Sequence, residues 1–200
     1  ASVQKNQAIA LMPGSRKSEV KNILPIFLEI LKKANQTDDV HLVLPKSVSK
    51  EDICNILGDL KDKINIVDGP AYLLRQKVRF ILMSSGTATV ENTILGVPMI
   101  IFYKLDKFSY FIAKLIARVK FIGMPNILAG RMIMPEYVQN IDYEKITKEF
   151  CLWLEDDALI AEKQDELKKI KEKLKPIEGS VLENIAEYIC NELIQLSKEY

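Results

Sequence analysis

Four hydroxyls, a glycine and a carboxylate fall within eight residues in the run "SSGTATVE" (84–91). The run follows a strand-like apolar stretch, "RFILM", and leads into a helix-like one carrying Val90, Ile94 and Leu95. Gly86 lets a ligand approach the backbone closely. Ser85, Thr87, Ala88 and Thr89 open the helix, where free amides and the dipole favour an anion such as phosphate. Glu91 lies about one turn in, on the side that Thr87 shares. A carboxylate there accepts two hydroxyl hydrogen bonds, as from the 2′ and 3′ oxygens of a ribose. The plainer alternative is a Ser/Thr cap beside a glutamate that suits the dipole.

A second corner has the same character. In "LMPGSRKSE" (11–19) a strand ends on a Pro-Gly turn, and Gly14, Ser15 and Arg16 head the next helix. Free amides suit an anion there, and Arg16 adds a permanently charged bidentate clamp. A helix cap with a solvated arginine is the alternative. The spacing is not that of a P-loop. Two anion-seeking corners after different strands of one sheet suggest a nucleoside diphosphate, with Glu91 on its ribose. Two further stretches stand out. "MPNILAGRMIMPEYVQ" (124–139) places Asn126 after a proline, with Arg131 and Glu136 nearby, and reads as a structured loop with a short helix. "YKLDKFSYFIAKLIARVK" (103–120) sets five cations against Asp106 and carries an aromatic apolar side. Such a helix suits an anionic membrane surface, or simply packs on its apolar side.

The elements that must position these residues are legible in the hydrophobic pattern. Five short apolar runs read as strands at 8–12, 40–45, 64–69, 79–86 and 97–104. They are continuously hydrophobic, as in a parallel sheet covered on both faces. Amphipathic segments alternate with them: about 17–34, 49–58, a short helix near 70–76, and one after Gly86. Pro25 should kink the first helix or mark its real start. The order argues a Rossmann-like, doubly wound α/β domain, with ligands beyond the strands' carboxyl ends. Later helices are expected at 144–156 and 165–174, and a last one carries Leu182, Ile185 and Ile189. The core is set at 8–155 and a helical tail at 156–200, with Glu155, Asp156 and Asp157 as a solvated helix end.

Totals exclude some functions. The net charge of +1 over 200 residues gives no global field to recruit nucleic acid. Cys54, Cys151 and Cys190 form no metal-binding spacing or disulfide framework, so no metal or other cofactor is expected. The single histidine, His41, lies in a strand-like run and reads as structural. No stretch has the roughly 20 apolar residues of a membrane span, and none reads as a signal peptide. The chain opens almost at once on a strand, which hints at a fragment cut at a domain boundary.

"LMPGSRKSEV", "SSGTATVENTILGVPMIIFYK", "PNILAGRMIMPEYVQ" and "LKPIEGSVLENIAEYI" resemble, in order, the carboxyl-terminal half of the lipid-A-disaccharide synthase family. The resemblance implies a glycosyltransferase-B architecture, two Rossmann-like domains facing a cleft. It implies transfer of 2,3-diacylglucosamine from UDP to 2,3-diacylglucosamine 1-phosphate, with inversion, at the cytoplasmic face of the bacterial inner membrane. By this resemblance Arg16 acts near the donor diphosphate, Glu91 near the UDP ribose, and Asn126 in the same pocket. A homodimer is implied as well. The amino-terminal, acceptor-binding half of the family is missing from this chain, and with it the acid expected as general base, so an isolated chain is expected to be inactive. Two readings stay beside this one. One is a UDP-N-acetylglucosamine epimerase-like enzyme, which would need further acids and a histidine in the cleft. The other is a non-catalytic nucleotide-binding or membrane-docking module.

Overall fold

A computed structural model describes residues 7–45, 47–104 and 120–174. The expected alternation is present. β1 (Ile9–Met12) leads to α1 (Lys17–Lys33), β2 (Val40–Leu44) to α2 (Lys50–Leu57), and β3 (Ile64–Asp68) to the single turn of α3 (Tyr72–Arg75). Then come β4 (Phe80–Ser84), α4 (Ala88–Leu95), β5 (Met99–Tyr103), α5 (Met124–Ala129), β6 (Glu136–Val138), α6 (Tyr143–Glu155) and α7 (Asp157–Lys173). All five strand pairings are parallel, in the order β3-β2-β1-β4-β5-β6.

The central strands are apolar throughout because both faces are covered. Ile9, Ala10 and Leu11 of β1 and Phe80–Met83 of β4 are fully buried. Helix α1 supplies Ile23, Leu24, Phe27, Ile30 and Leu31, and the Phe27 ring meets Phe102 edge-on at 5.1 Å between centroids. Phe80 meets Phe150 and Trp153 of α6 in the same way, at 5.4 Å each. Edge-to-face pairs add specific geometry to the large area that aromatic rings bury.

Several expectations change. The sheet has a sixth strand inside the stretch read as a loop: Glu136–Val138 pairs with Ile101–Tyr103. Three residues on a sheet edge are too few to show a period. Pro25 neither starts nor ends α1, which runs through it. The ring sits on the exposed side of the helix, where water can satisfy the Lys21 carbonyl that loses its donor. Helix α7 begins eight residues before the expected start at 165 and buries Ile160, Leu167 and Ile170 in the common core. The acids at 156 and 157 form a joint rather than a solvated end. The Asp156 amide closes α6 on the Leu152 carbonyl at 2.9 Å, and its carboxylate receives the Leu159 amide of α7 at 2.9 Å. Asp157 pairs at 2.6 Å with Arg79, whose Nε donates to the Trp153 carbonyl at 2.7 Å.

His41 lies on β2, largely buried, with its ring nitrogen 2.9 Å from Asp39. Cys54 and Cys151 are free thiols. Among the described residues no helix is long and apolar enough to cross a membrane. The basic aromatic stretch is described only at its ends, so residues 105–119 and the last expected helix lie outside the described residues.

Candidate functional site

Chain order reverses between β1 and β4, the two middle strands of the sheet. Helices diverge at such a point and leave a crevice beyond the strand ends. Met12 of β1 stands in register with Met83 of β4, so the loops leaving these strands are neighbours. These loops are the two anion-seeking corners. A cavity of about 590 Å³ opens between them. Gly14, Ser15 and Arg16 line one side of it, and Ser85, Gly86, Thr87, Ala88 and Glu91 the other. Val43 near the end of β2, and Pro45, Gly69 and Pro70 from the loops after β2 and β3, complete the wall.

The two corners differ in what they leave free. At the head of α1 the Glu19 carboxylate folds back over its own helix terminus. Its Oε2 accepts the Ser15 amide at 2.8 Å and the Arg16 amide at 3.3 Å. This is one half of a capping box, and it uses the amides that an anion would otherwise take. The Arg16 guanidinium is left 81% exposed at the rim, 3.9 Å from Glu19, with freedom to swing. At the head of α4 no carboxylate intervenes among the described residues. The amides of Gly86, Thr87 and Ala88 open that helix, where no preceding turn can receive them.

The hydroxyls at this second corner do more bracing than sequence suggests. Ser85 donates to the Ile122 carbonyl at 2.8 Å, and its amide bonds the Phe102 carbonyl at 2.8 Å. Thr89 is fully buried; its hydroxyl donates to the Gly86 carbonyl at 2.7 Å and receives the Met124 amide at 3.4 Å. Thr89 therefore shapes the turn from behind and does not line the cavity.

Asn126 is not among the lining residues either. It is fully buried, and its side-chain oxygen accepts the amides of Ile133 and Met134 at 2.7 and 2.9 Å. Its side-chain nitrogen donates to the Met134 carbonyl and to Glu136, both at 2.7 Å. Glu136 in turn receives the amides of Ile122 and Gly123 at 2.9 and 2.8 Å. Asn126 and Glu136 thus hold the 122–136 segment closed against Ser85 and Thr89. Their part in the site is to brace its wall.

Sequence reasoning missed Arg75. It is fully buried on α3, lines the cavity, and bonds Glu91 Oε2 at 2.8 Å through Nη1. A lone arginine in the apolar turn "YLLR", after the third strand, was the available signal. Its side-chain hydrogen-bond partners lie 16 and 17 residues away on another helix, beyond any local pattern. Both carboxylates on the cavity wall are thereby engaged, Glu19 with amides and Glu91 with a guanidinium. Neither is placed as a free general base. Among the described residues no group of three or more His, Cys, Asp or Glu side chains gathers to hold a metal ion.

This sheet order, with its crevice at the switch point, defines a Rossmann-like domain, and its solved structural neighbours include glycosyltransferases of the glycosyltransferase-B architecture. The spinosyn rhamnosyltransferase SpnG, solved in complex with thymidine diphosphate, shares the fold with a TM-score of 0.54 at 16% identity, covering 86% of this chain and 43% of that one. The family model for lipid-A-disaccharide synthetase matches residues 2–189, and the chain belongs to that family. Lipid-A-disaccharide synthase from Persephonella marina is 33% identical over 183 residues, which cover 86% of this chain and 48% of that protein. The enzyme of the same name from a Sulfurihydrogenibium species is 37% identical over 166 residues, covering 74% of this chain and 43% of the other. The chain spans about half the length of these curated relatives.

Proposed function

We propose that this chain is the donor-binding half of a lipid-A-disaccharide synthase, and that its cavity holds the UDP of UDP-2,3-diacylglucosamine. One observation carries the reading: the open head of α4 and the Arg75-held Glu91 share one cavity at the switch point of the sheet. In this reading the diphosphate lies over the Gly86–Ala88 amides, and Arg16 closes on it from the rim. Glu91 takes the ribose hydroxyls. As the bond from the sugar to the diphosphate breaks, negative charge grows on the leaving UDP. The fixed amides stabilise that charge without reorganising, and Arg16 adds its own charge once it has closed.

The sugar acceptor must lose its hydroxyl proton as it attacks, and inversion requires that base on the opposite side of the sugar. The proposal places the base, and the site for 2,3-diacylglucosamine 1-phosphate, in the amino-terminal half that the relatives carry. The membrane-facing role of 104–120, a peripheral location on the cytoplasmic side of the inner membrane, and pairing of two copies belong to the same proposal.

A turnover assay tests it. The chain, the donor and the acceptor are mixed with and without the separately supplied amino-terminal half of a relative, and UDP and disaccharide 1-phosphate are measured. Turnover is expected only with both halves, and reduced at least tenfold by Glu91→Ala. Turnover by the isolated chain, or turnover indifferent to Glu91→Ala, contradicts the reading.

A further inference from the structure

Arg75 is a charge without solvent. Burying a guanidinium is costly unless every donor finds a partner. Here the partners come from three places. Nε and Nη2 converge on the Asn92 side-chain oxygen at 2.8 and 2.5 Å. Nη1 reaches the Pro70 carbonyl at 3.1 Å and Glu91 Oε2 at 2.8 Å. The Tyr72 ring covers the guanidinium carbon at 5.0 Å. Asn92 is itself fully buried. The pair with Glu91 is lopsided: the cation is 0% exposed and the anion 38% exposed on the cavity wall. A bridge built only for stability has no need to leave its acid facing a cavity.

We infer that Arg75 is the positioning residue that gives this site its preference for ribose over 2′-deoxyribose. The inference rests on the nucleotide reading above. A glutamate on an open helix face samples many rotamers and must be ordered when a ligand arrives. Arg75 fixes the carboxylate in advance through Oε2, which keeps a lone pair, and leaves Oε1 without a share in the ion pair. A diol then meets two oxygens already held in one plane, so little order remains to be imposed on binding. The bond to Pro70 ties the same cation to the loop after β3, so wall and acid keep a constant spacing. Arg75 acts through Glu91 and touches no reacting atom.

The test is a set of calorimetric titrations with UDP, 2′-deoxy-UDP and pyrophosphate. They are run on the unsubstituted chain, Arg75→Met and Arg75→Lys, with thermal melts confirming that each is folded. The unsubstituted chain should prefer UDP over 2′-deoxy-UDP by about tenfold or more, the usual worth of a hydrogen bond to a charged group. Arg75→Met should bring the two within about twofold; the charge it removes weakens pyrophosphate and both nucleotides alike, so the ratio is the readout. Arg75→Lys keeps a charge beside Glu91 but loses the fork, and should fall between. If Arg75→Met does not fold, the Arg75→Lys ratio decides. A full preference retained in the folded variants overturns the inference and leaves the nucleotide reading standing. So does an equal loss for all three ligands, the mark of a merely structural residue. Failure of the unsubstituted chain to bind UDP overturns both.

Discussion

The Glu19 carboxylate lies 2.8 Å from the Ser15 amide and also receives the Arg16 amide, so α1 carries its own anion at its head. The Gly14–Arg16 corner therefore offers a ligand its guanidinium rather than its backbone. Glu19→Ala should lower the unfolding free energy by about 1 kcal/mol, the usual worth of an N-terminal cap, in denaturant titrations. Glu19→Gln keeps an acceptor over the same amides and should lose less. Equal stability of all three forms would show that the cap contributes nothing.

Gly14 makes that cap sterically possible. Its φ is +127°, and a Cβ there would stand 2.5 Å from Glu19 Oε2 and 2.6 Å from Glu19 Cβ. Gly14→Ala should cost about 2 kcal/mol or more, from backbone strain plus the displaced carboxylate. The double variant with Glu19→Ala removes the clash partner, so its cost should fall short of the sum of the two singles. A strictly additive double-mutant cycle would mean that the two sites do not touch.

The Asn126 side chain makes four hydrogen bonds inside the chain, and the residue has no exposed surface. Asn126→Ala should cost about 3 kcal/mol, because two amides and a carbonyl are left buried without their partner. Asn126→Asp should also destabilise, since it sets a second carboxylate against Glu136. Denaturant midpoints within error of the parent would argue that the 122–136 segment is held in another way.

The Tyr137 hydroxyl donates to Glu149, and burial, followed by that bond and the carboxylate's charge, pushes its pKa well above the usual 10. The folded chain then keeps this proton where the unfolded chain has lost it. Tyr137 thus contributes stability that is full below about pH 10 and declines as pH rises further. Tyr137→Phe cannot ionise, so its melting temperature should fall less between about pH 9 and about pH 11. Parallel curves for the two proteins would rule out this linkage.

The layout was legible in the sequence where chemistry is local. Unbroken apolar runs of the β1 and β4 kind mark strands buried on both faces. Gly86 followed by hydroxyls marks a helix head, and Glu91 stands one turn further on. The residues without a local signal depend on contacts across the fold. Arg75 looks like any surface arginine until α4 is placed beside α3. The bend of Glu19 toward Ser15 is a choice between solvent and amides that the run "GSRKSE" does not decide. Asn126 after a proline suggests a ligand contact, yet its neighbours Ile133, Met134 and Glu136 absorb its whole side-chain hydrogen-bonding capacity, and the three-residue β6 beside them has no period to read.

The central claim is that the cavity between β1 and β4 is a UDP site organised around Glu91, and calorimetric titration of UDP tests it most directly. The unsubstituted chain should bind one UDP, and Glu91→Ala and Arg16→Ala should each weaken binding by about tenfold or more. The Arg16→Ala variant should also show the shallower salt dependence. No UDP-dependent heat from the folded chain, or binding that Glu91→Ala leaves unchanged, would contradict it.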